Sequence, residues 1–416
     1  MGETRTQAKY PVMYRVKQRF AEEAILDIPA AIFAELDRIG LKEKIKPGME
    51  IGVTCGSRGI NHIALIIKTA CDYIRLAGGQ PFILPAMGSH GGATAEGQAH
   101  VCEKFGVTED YVGCPIRSSM DVVQLPDTPE GIPVYVSKTA MEADGVLVIN
   151  RVKPHTDFTA HNESGVVKML SVGLGKQKGA SAMHDNGLGR AIPAAAKVIL
   201  AHAPILAGLG VVENAKDETA IVRGILTEHF LEEDAALLKE SYALVPKLPA
   251  KEMDILIVKE MGKQYSGTGM DTKVIGRMKI LGEAEPESPR IKKIVTLRLS
   301  KDSYGNALGI GLADLTVKQL VDQIDYEAMY SNLITTTFLE RGKVPVHLKT
   351  EEEAIAVAFR TLGNVEAAKA KVMVIENTLH IGTVLVSEAL YEEIKDQVDL
   401  VEGGLEMTFD AEGRLC

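Results

Sequence analysis

Lys168 is a cation inside an apolar, glycine-rich run, GVVKMLSVGLGKQKGASAMH (165–184), which closes on a histidine sixteen residues later. With Val166, Val167, Met169 and Leu170 around it, the amine can have a lowered pKa and bond covalently to a carbonyl-type cofactor. The commoner fate of a lysine is to lay its stem along apolar surface and keep its head in water. His184 would cap the loop before HDNGLG, or serve as a metal ligand or fixed donor beside such a cofactor. One histidine is not a metal site, so an organic group on the lysine would have to supply the other donors.

Three upstream loops carry further polar residues: CGSRG (55–59), GSHGG (88–92) and RVKPH (151–155), each after a short apolar strand. In open parallel sheets, ligands bind beyond the carboxyl ends of the strands, which would put Arg58, His90 and His155 on one rim. Arg58 suits anion capture, because a guanidinium forks onto a carboxylate or phosphate; the plain alternative is a solvated charge. The glycines around His90 let backbone approach a ligand. Pro154 stiffens the approach to His155, for which a surface role is the alternative. An imidazole of unperturbed pKa about 6.5 can hold or release a proton near neutrality. Two of them on opposite faces of one carbon or hydroxyl would serve both enantiomers of a substrate. General acid–base help contributes about 10²- to 10⁴-fold. That is too little for an unactivated C–H bond, so an electron or hydride sink is required.

The elements that must position these residues alternate between strand and helix. IGVT (51–54), PFILP (81–85) and GVLVIN (145–150) read as buried strands. HIALIIKTACDYIRLAGG carries a helical stripe at Ile63, Ile66, Ile67, Ala70, Cys71 and Ile74, with Gly-Gly as its stop. A helix starts near Thr94, VVQLP and IPVYVS flank a hairpin turn, and another helix runs from about Leu188 to His202. ILAGLGVV and AIVRGIL follow, then a candidate linker, VPKLPAKEM (245–253). Beyond it, DILIVKEMG, KIVTLRLS and KVMVIEN read as strands, and LTVKQLVDQID and EEEAIAVAFRTLG as helices. The expectation is an α/β protein of two α/β domains, 1–247 and 248–416. The first is built on a largely parallel sheet, and the active site lies in an interdomain cleft.

Composition limits the function classes. At 416 residues the chain is too long for one ordinary core. A net charge of -10, aromatics at 5% and no Trp argue against nucleic acid or an anionic membrane as partner. The N-terminus lacks an apolar signal region, and no apolar run spans a bilayer. Five dispersed cysteines form no CxxC pair, which leaves a cytoplasmic enzyme as the expectation.

The ordered set GSRG, GSHGG, KPH, GVVK and a histidine sixteen residues after the lysine resembles the nickel-dependent lactate racemase family. The resemblance implies that Lys168 carries a nickel-pincer nucleotide, a pyridinium-derived mononucleotide joined through a thioamide. It further implies nickel held by two sulfurs and a ring carbon of that group, with His184 completing a square plane. His90 and His155 would be the paired bases, and Ser57 and Arg58 would contact the cofactor, Arg58 also holding the substrate carboxylate. A second-domain lysine, Lys263 or Lys273, would bind substrate, near GKQYSGTGMD; GNALGIGLAD (305–314) is another glycine-rich loop. The chain departs from the family at Cys55, where an acidic residue is common, at Gly91, where arginine is common, and at Val166 and Val167. The longer segment before Lys168 holds Asp157, His161, Asn162 and Glu163, so His161 joins the substrate contacts and the substrate is not lactate itself.

The reading is a racemase or epimerase of a small 2-hydroxy acid, served by cofactor-making enzymes, with a homo-oligomer left open. Its rivals are a cofactor-free acid–base enzyme on hydroxy or keto acids, and a non-catalytic binder of anions or nucleotides.

Overall fold

The computed structural model describes residues 10–57, 59–281 and 284–416. The described residues form two compact units, one spanning Ala21–Val245 and the other Pro246–Cys416 together with residues 10–20. Strands are numbered along the chain: β1 Met13–Gln18, β2 Glu50–Cys55, β3 Gln80–Pro85, β4 Val122–Leu125, β5 Val134–Ser137, β6 Gly145–Arg151, β7 Ile205–Glu213 and β8 Thr219–Leu226. These continue with β9 Glu252–Met261, β10 Arg290–Leu299, β11 Leu315–Val317, β12 Val346–Leu348, β13 Val372–Ile375, β14 Thr383–Ser387 and β15 Val398–Leu405.

In the 21–245 unit the sheet order is β3-β2-β6-β7-β8. The first four strands are parallel and β8 returns antiparallel to β7. The continuous apolar run of β6 follows from cover on both faces. Val146 and Val148 pack with the helices Leu188–His202 and Phe230–Leu244, while Leu147 and Ile149 pack with Ile28–Arg38 and Ile63–Leu76. The stripe read in the sequence is buried against the second of these cores. Thr94 caps the helix Ala95–Lys104, its hydroxyl accepting from Gly97 N at 3.0 Å. β4 and β5 form the expected antiparallel hairpin.

The other unit holds an eight-stranded mixed sheet, ordered β12-β11-β10-β9-β13-β14-β1-β15, around one apolar core. β1 pairs antiparallel with both β14 and β15, so residues 13–18 belong here and not with a 1–247 domain. The division falls after Val245, and β9 already begins at Glu252 inside the candidate linker. LTVKQLVDQID is not one helix. Its first three residues are the strand β11, wholly buried between β10 and β12, and Lys318–Val321 is a single helical turn. Strand pairing of buried Leu315 and Val317 overrides the helical spacing of the segment. Among the described residues, no helix is long and apolar enough to cross a membrane.

Candidate active site

The 21–245 chain runs from β2 outward to β3 and then returns to the other side of β2 as β6. The order therefore reverses between β2 and β6, and loops leaving their carboxyl ends diverge there, which is where such sheets open a crevice. Ser57 follows β2, His90 follows β3 and His155 follows β6. Arg58 lies outside the described residues.

His90 leads into a tight turn, Gly91–Ala93, with Gly91 at φ 65°. A Cβ on Gly91 would stand 2.7 Å from the Gly97 carbonyl carbon, so the larger residue common at this place in the family has no room here. His90 Nδ1 hydrogen-bonds Ser57 Oγ. Ser57, expected at a cofactor, is thus placed on the imidazole. Cys55, which stands where the family commonly has an acid, is buried. Its hydrogen bond with Cys102 and its burial raise its thiol well above the ordinary range, so it supplies no charge to the rim.

Beyond β6, Lys153 and Ser164 pair their backbones, Lys153 N donating to Ser164 O at 2.8 Å, and pinch residues 154–163 into a closed loop. Glu163 is buried within it and accepts from His155 N at 2.6 Å, Ala160 N at 3.2 Å and Tyr242 OH at 2.9 Å. Asn162, also buried, donates to Leu231 O and to Asp234. These two polar residues brace the loop from inside, whereas His161 is exposed. His155 Nδ1 accepts Asp157 N–H at 3.0 Å, which orients the ring with Nε2 towards Lys168. Nε2 lies 2.6 Å from Lys168 Nζ. The Phe158 ring packs against the imidazole at 4.6 Å between centroids.

Lys168 ends a single helical turn, Val166–Lys168, and the chain then widens into a π-turn, Met169–Gly173, with Leu174 N bonded to Met169 O at 2.8 Å. Such insertions concentrate at functional sites. Buried Asp234 accepts the Val167 N–H at 3.4 Å and Asn162 Nδ2 at 3.0 Å, and thereby caps the turn from a neighbouring helix. His184 occupies the last turn of the helix Lys176–Asp185. Although it keeps an exposed edge, the protein packed around its ring lowers its pKa. The Lys168 cation lowers it further, while Asp157 and Asp185 oppose. Neutral imidazole is the form that ligates a metal.

In the other unit, Lys263 Nζ donates to Asn332 Oδ1, and Asn306 Nδ2 reaches the same oxygen at 2.9 Å. Lys273 sits in the turn Thr272–Ile275, which Asp271 caps. Asp314 pairs with Arg277 at 2.9 Å and bonds Ile294 N at 2.8 Å, a structural role within its glycine-rich loop. The sequence reading passed over Asp234, Gln98 and Lys176. Lys176 alone carried a signal, as a second lysine in the glycine-rich run.

The fold is that of a lactate racemase-like protein. The chain is similar to the lactate racemase apoprotein from Thermoanaerobacterium thermosaccharolyticum, with a TM-score of 0.55 over 88% of this chain and 99% of that one, at 15% identity. Residues 21–191, which hold Arg58, His90, His155, Lys168 and His184, match the model of the lactate racemase N-terminal domain. No curated protein matches the chain in sequence.

Proposed function

We propose that the protein racemises or epimerises a small 2-hydroxy acid other than lactate, with a nickel-pincer nucleotide held on Lys168. The observation that carries this reading is the Lys168 Nζ to His155 Nε2 contact of 2.6 Å, in a segment that matches the lactate racemase N-terminal domain. Among the described residues, no three His, Cys, Asp or Glu side chains gather as a metal cluster. A metal here would therefore take most of its ligands from an organic group, and the donor set fits one: an amine for covalent attachment, with a neutral imidazole in its field. Lys168 would hold that group and His184 would supply the nickel ligand. The bound group supplies reversible hydride acceptance.

The chain's own residues do the rest. His155 and His90 take and return the proton of the substrate hydroxyl, one for each hand of the substrate. Asp157 N–H and Ser57 Oγ hold the two rings in place through their Nδ1 atoms. Arg58 would hold the carboxylate, and His161 would contact the remainder of a substrate larger than lactate. Water-free closure around the site would protect a keto intermediate. The Lys168–His155 contact also suits a cofactor-free acid–base site, and mass separates the two.

Protein produced together with cofactor-making enzymes should show added mass confined to Lys168 and about one nickel per chain, as in the family resembled. It should racemise one member of a 2-hydroxy acid panel. Lys168→Ala should lose the added mass, whereas His90→Ala and His155→Ala should keep it and lose about 10²- to 10⁴-fold in kcat. An unmodified Lys168 in such a preparation, or full racemisation by His155→Ala, would overturn the proposal.

A further inference from the structure

Lys176 has no exposed surface and stands at φ 55°, a left-handed conformation uncommon for any residue with a side chain. Its amine is enclosed beside Cys102, and burial pushes its pKa down to about 8, with Cys102 opposing. A buried cation in strained backbone is costly unless it holds something. It holds two groups. Nζ donates to Pro85 O at 2.5 Å and to Gln98 Oε1 at 2.9 Å. Gln98, itself fully buried, donates Nε2 to Gly88 O at 3.0 Å and to His90 O at 3.3 Å.

The chain of contacts thus begins at the first residue of the helix that ends near His184 and finishes on the backbone of His90. A second seam runs alongside it. Gly88 N donates to Gly173 O at 3.3 Å, which ties the same loop to the π-turn after Lys168. Gln98 is the only bridge named here whose amide serves both ends: its oxygen faces an ammonium donor and its nitrogen faces two carbonyls. Reversing or ionising that amide would break one side.

We propose that Lys176, acting through Gln98, is a positioning residue that sets the His90 loop in register with the element carrying Lys168 and His184. The role of His90 in moving the substrate proton rests on the function proposed above; the strap itself is a statement about loop position. Neither residue touches the substrate.

The test uses the full chain with ¹⁵N-labelled histidine, His90 being assigned by the peak lost in His90→Gln. Two variants are compared, Gln98→Glu and Lys176→Met. Gln98→Glu keeps size and keeps an acceptor for Lys176, but sets carboxylate oxygen against the Gly88 and His90 carbonyls. Both variants should shift or broaden the His90 ring-nitrogen signals, while the His202 signals stay as in the parent. In cofactor-loaded protein, kcat on the true substrate should fall by about 10- to 100-fold, as expected of a displacement near 1 Å. KM and the added mass on Lys168 should change less than about twofold. If Lys176→Met fails to fold, Gln98→Glu decides alone. Unchanged His90 signals in Gln98→Glu would overturn the strap. Shifted His90 signals with unchanged kcat would uphold the strap and refute the proton role of His90.

Discussion

Asp234 shows how a single side chain sets the lysine turn. It is fully buried, and burial raises its carboxyl from 3.8 to about 6, against the hydrogen bonds from Asn162 and the Val166 and Val167 amides. Between pH 3.8 and 6 the folded protein therefore binds the proton that the unfolded chain releases, and stability falls as pH rises through that window. The loss reaches about 3 kcal/mol above it. Asp234→Asn carries no such charge, so its stability relative to the parent should improve by about that amount between pH 4 and pH 7 in urea titrations. Asp234→Ala, which strands the donors, should cost about 2–4 kcal/mol at either pH. A parent-to-Asn difference that does not move with pH would mean that Asp234 ionises normally in the fold. Such a residue was not legible: FLEEDAALLKE reads as an ordinary acidic helix, and only tertiary packing brings its Asp to a turn more than sixty residues earlier. Lys168 and His90 stood out in the sequence because an isolated cation in an apolar run, or an imidazole among glycines, breaks a local pattern, whereas His155 stood out through Pro154 and His184 through its spacing from Lys168.

At the level of elements, the lysine turn and the helix Phe230–Leu244 meet with no spare room. A Cβ on Gly165 would lie 2.0 Å from Asp234 Oδ1. Gly165 is extended, at φ -171°, so any residue could adopt its backbone and the cost of substitution is purely steric. Gly165→Ala should push the two elements apart, lowering stability by about 1–3 kcal/mol and reducing attachment at Lys168. Calorimetry and intact mass check the two effects, and a variant with parent Tm and parent loading would show that the seam yields freely. The elements themselves were largely readable where burial is two-sided. β6 is a continuous apolar run because both faces are covered, and Ile63–Leu76 shows its stripe because one face is. β11 was misread because LTVKQL carries apolar residues at helical spacing, and nothing local reveals that Thr316 is buried between two strands. β1 was passed over for a related reason. In MYRVKQ only Met13, Val16 and Gln18 are buried, a spacing that fits neither a two-residue nor a helical period because β1 shifts register against β15.

At the scale of the whole molecule, the chain opens in one unit, builds the other over residues 21–245, and then returns to finish the first. β1 is an interior strand of the eight-stranded sheet, joining β14 on one side and β15 on the other. Its partners lie more than 360 residues away, so this pairing can form only after the last strands exist, and it is the slowest kind of contact to close. The exposed ion pairs beside it, Arg15–Glu402 and Arg19–Asp399, contribute little, about 0–1 kcal/mol each. The holding force is the ladder of backbone bonds and the burial of Met13 and Val16 in the common core. Deleting residues 1–20 should therefore leave β15 without its neighbour and expose the flank of β14. Hydrogen exchange should then show lost protection across 383–405, while β2, β3, β6 and β7 keep theirs, because their sheet is complete within 21–245. If the deletion instead opened the five-stranded sheet, or left β14 and β15 as protected as before, the assignment of β1 to the C-terminal unit would carry no energetic weight. A result confined to 383–405 would show that the first strand closes the unit whose sequence lies at the other end of the chain.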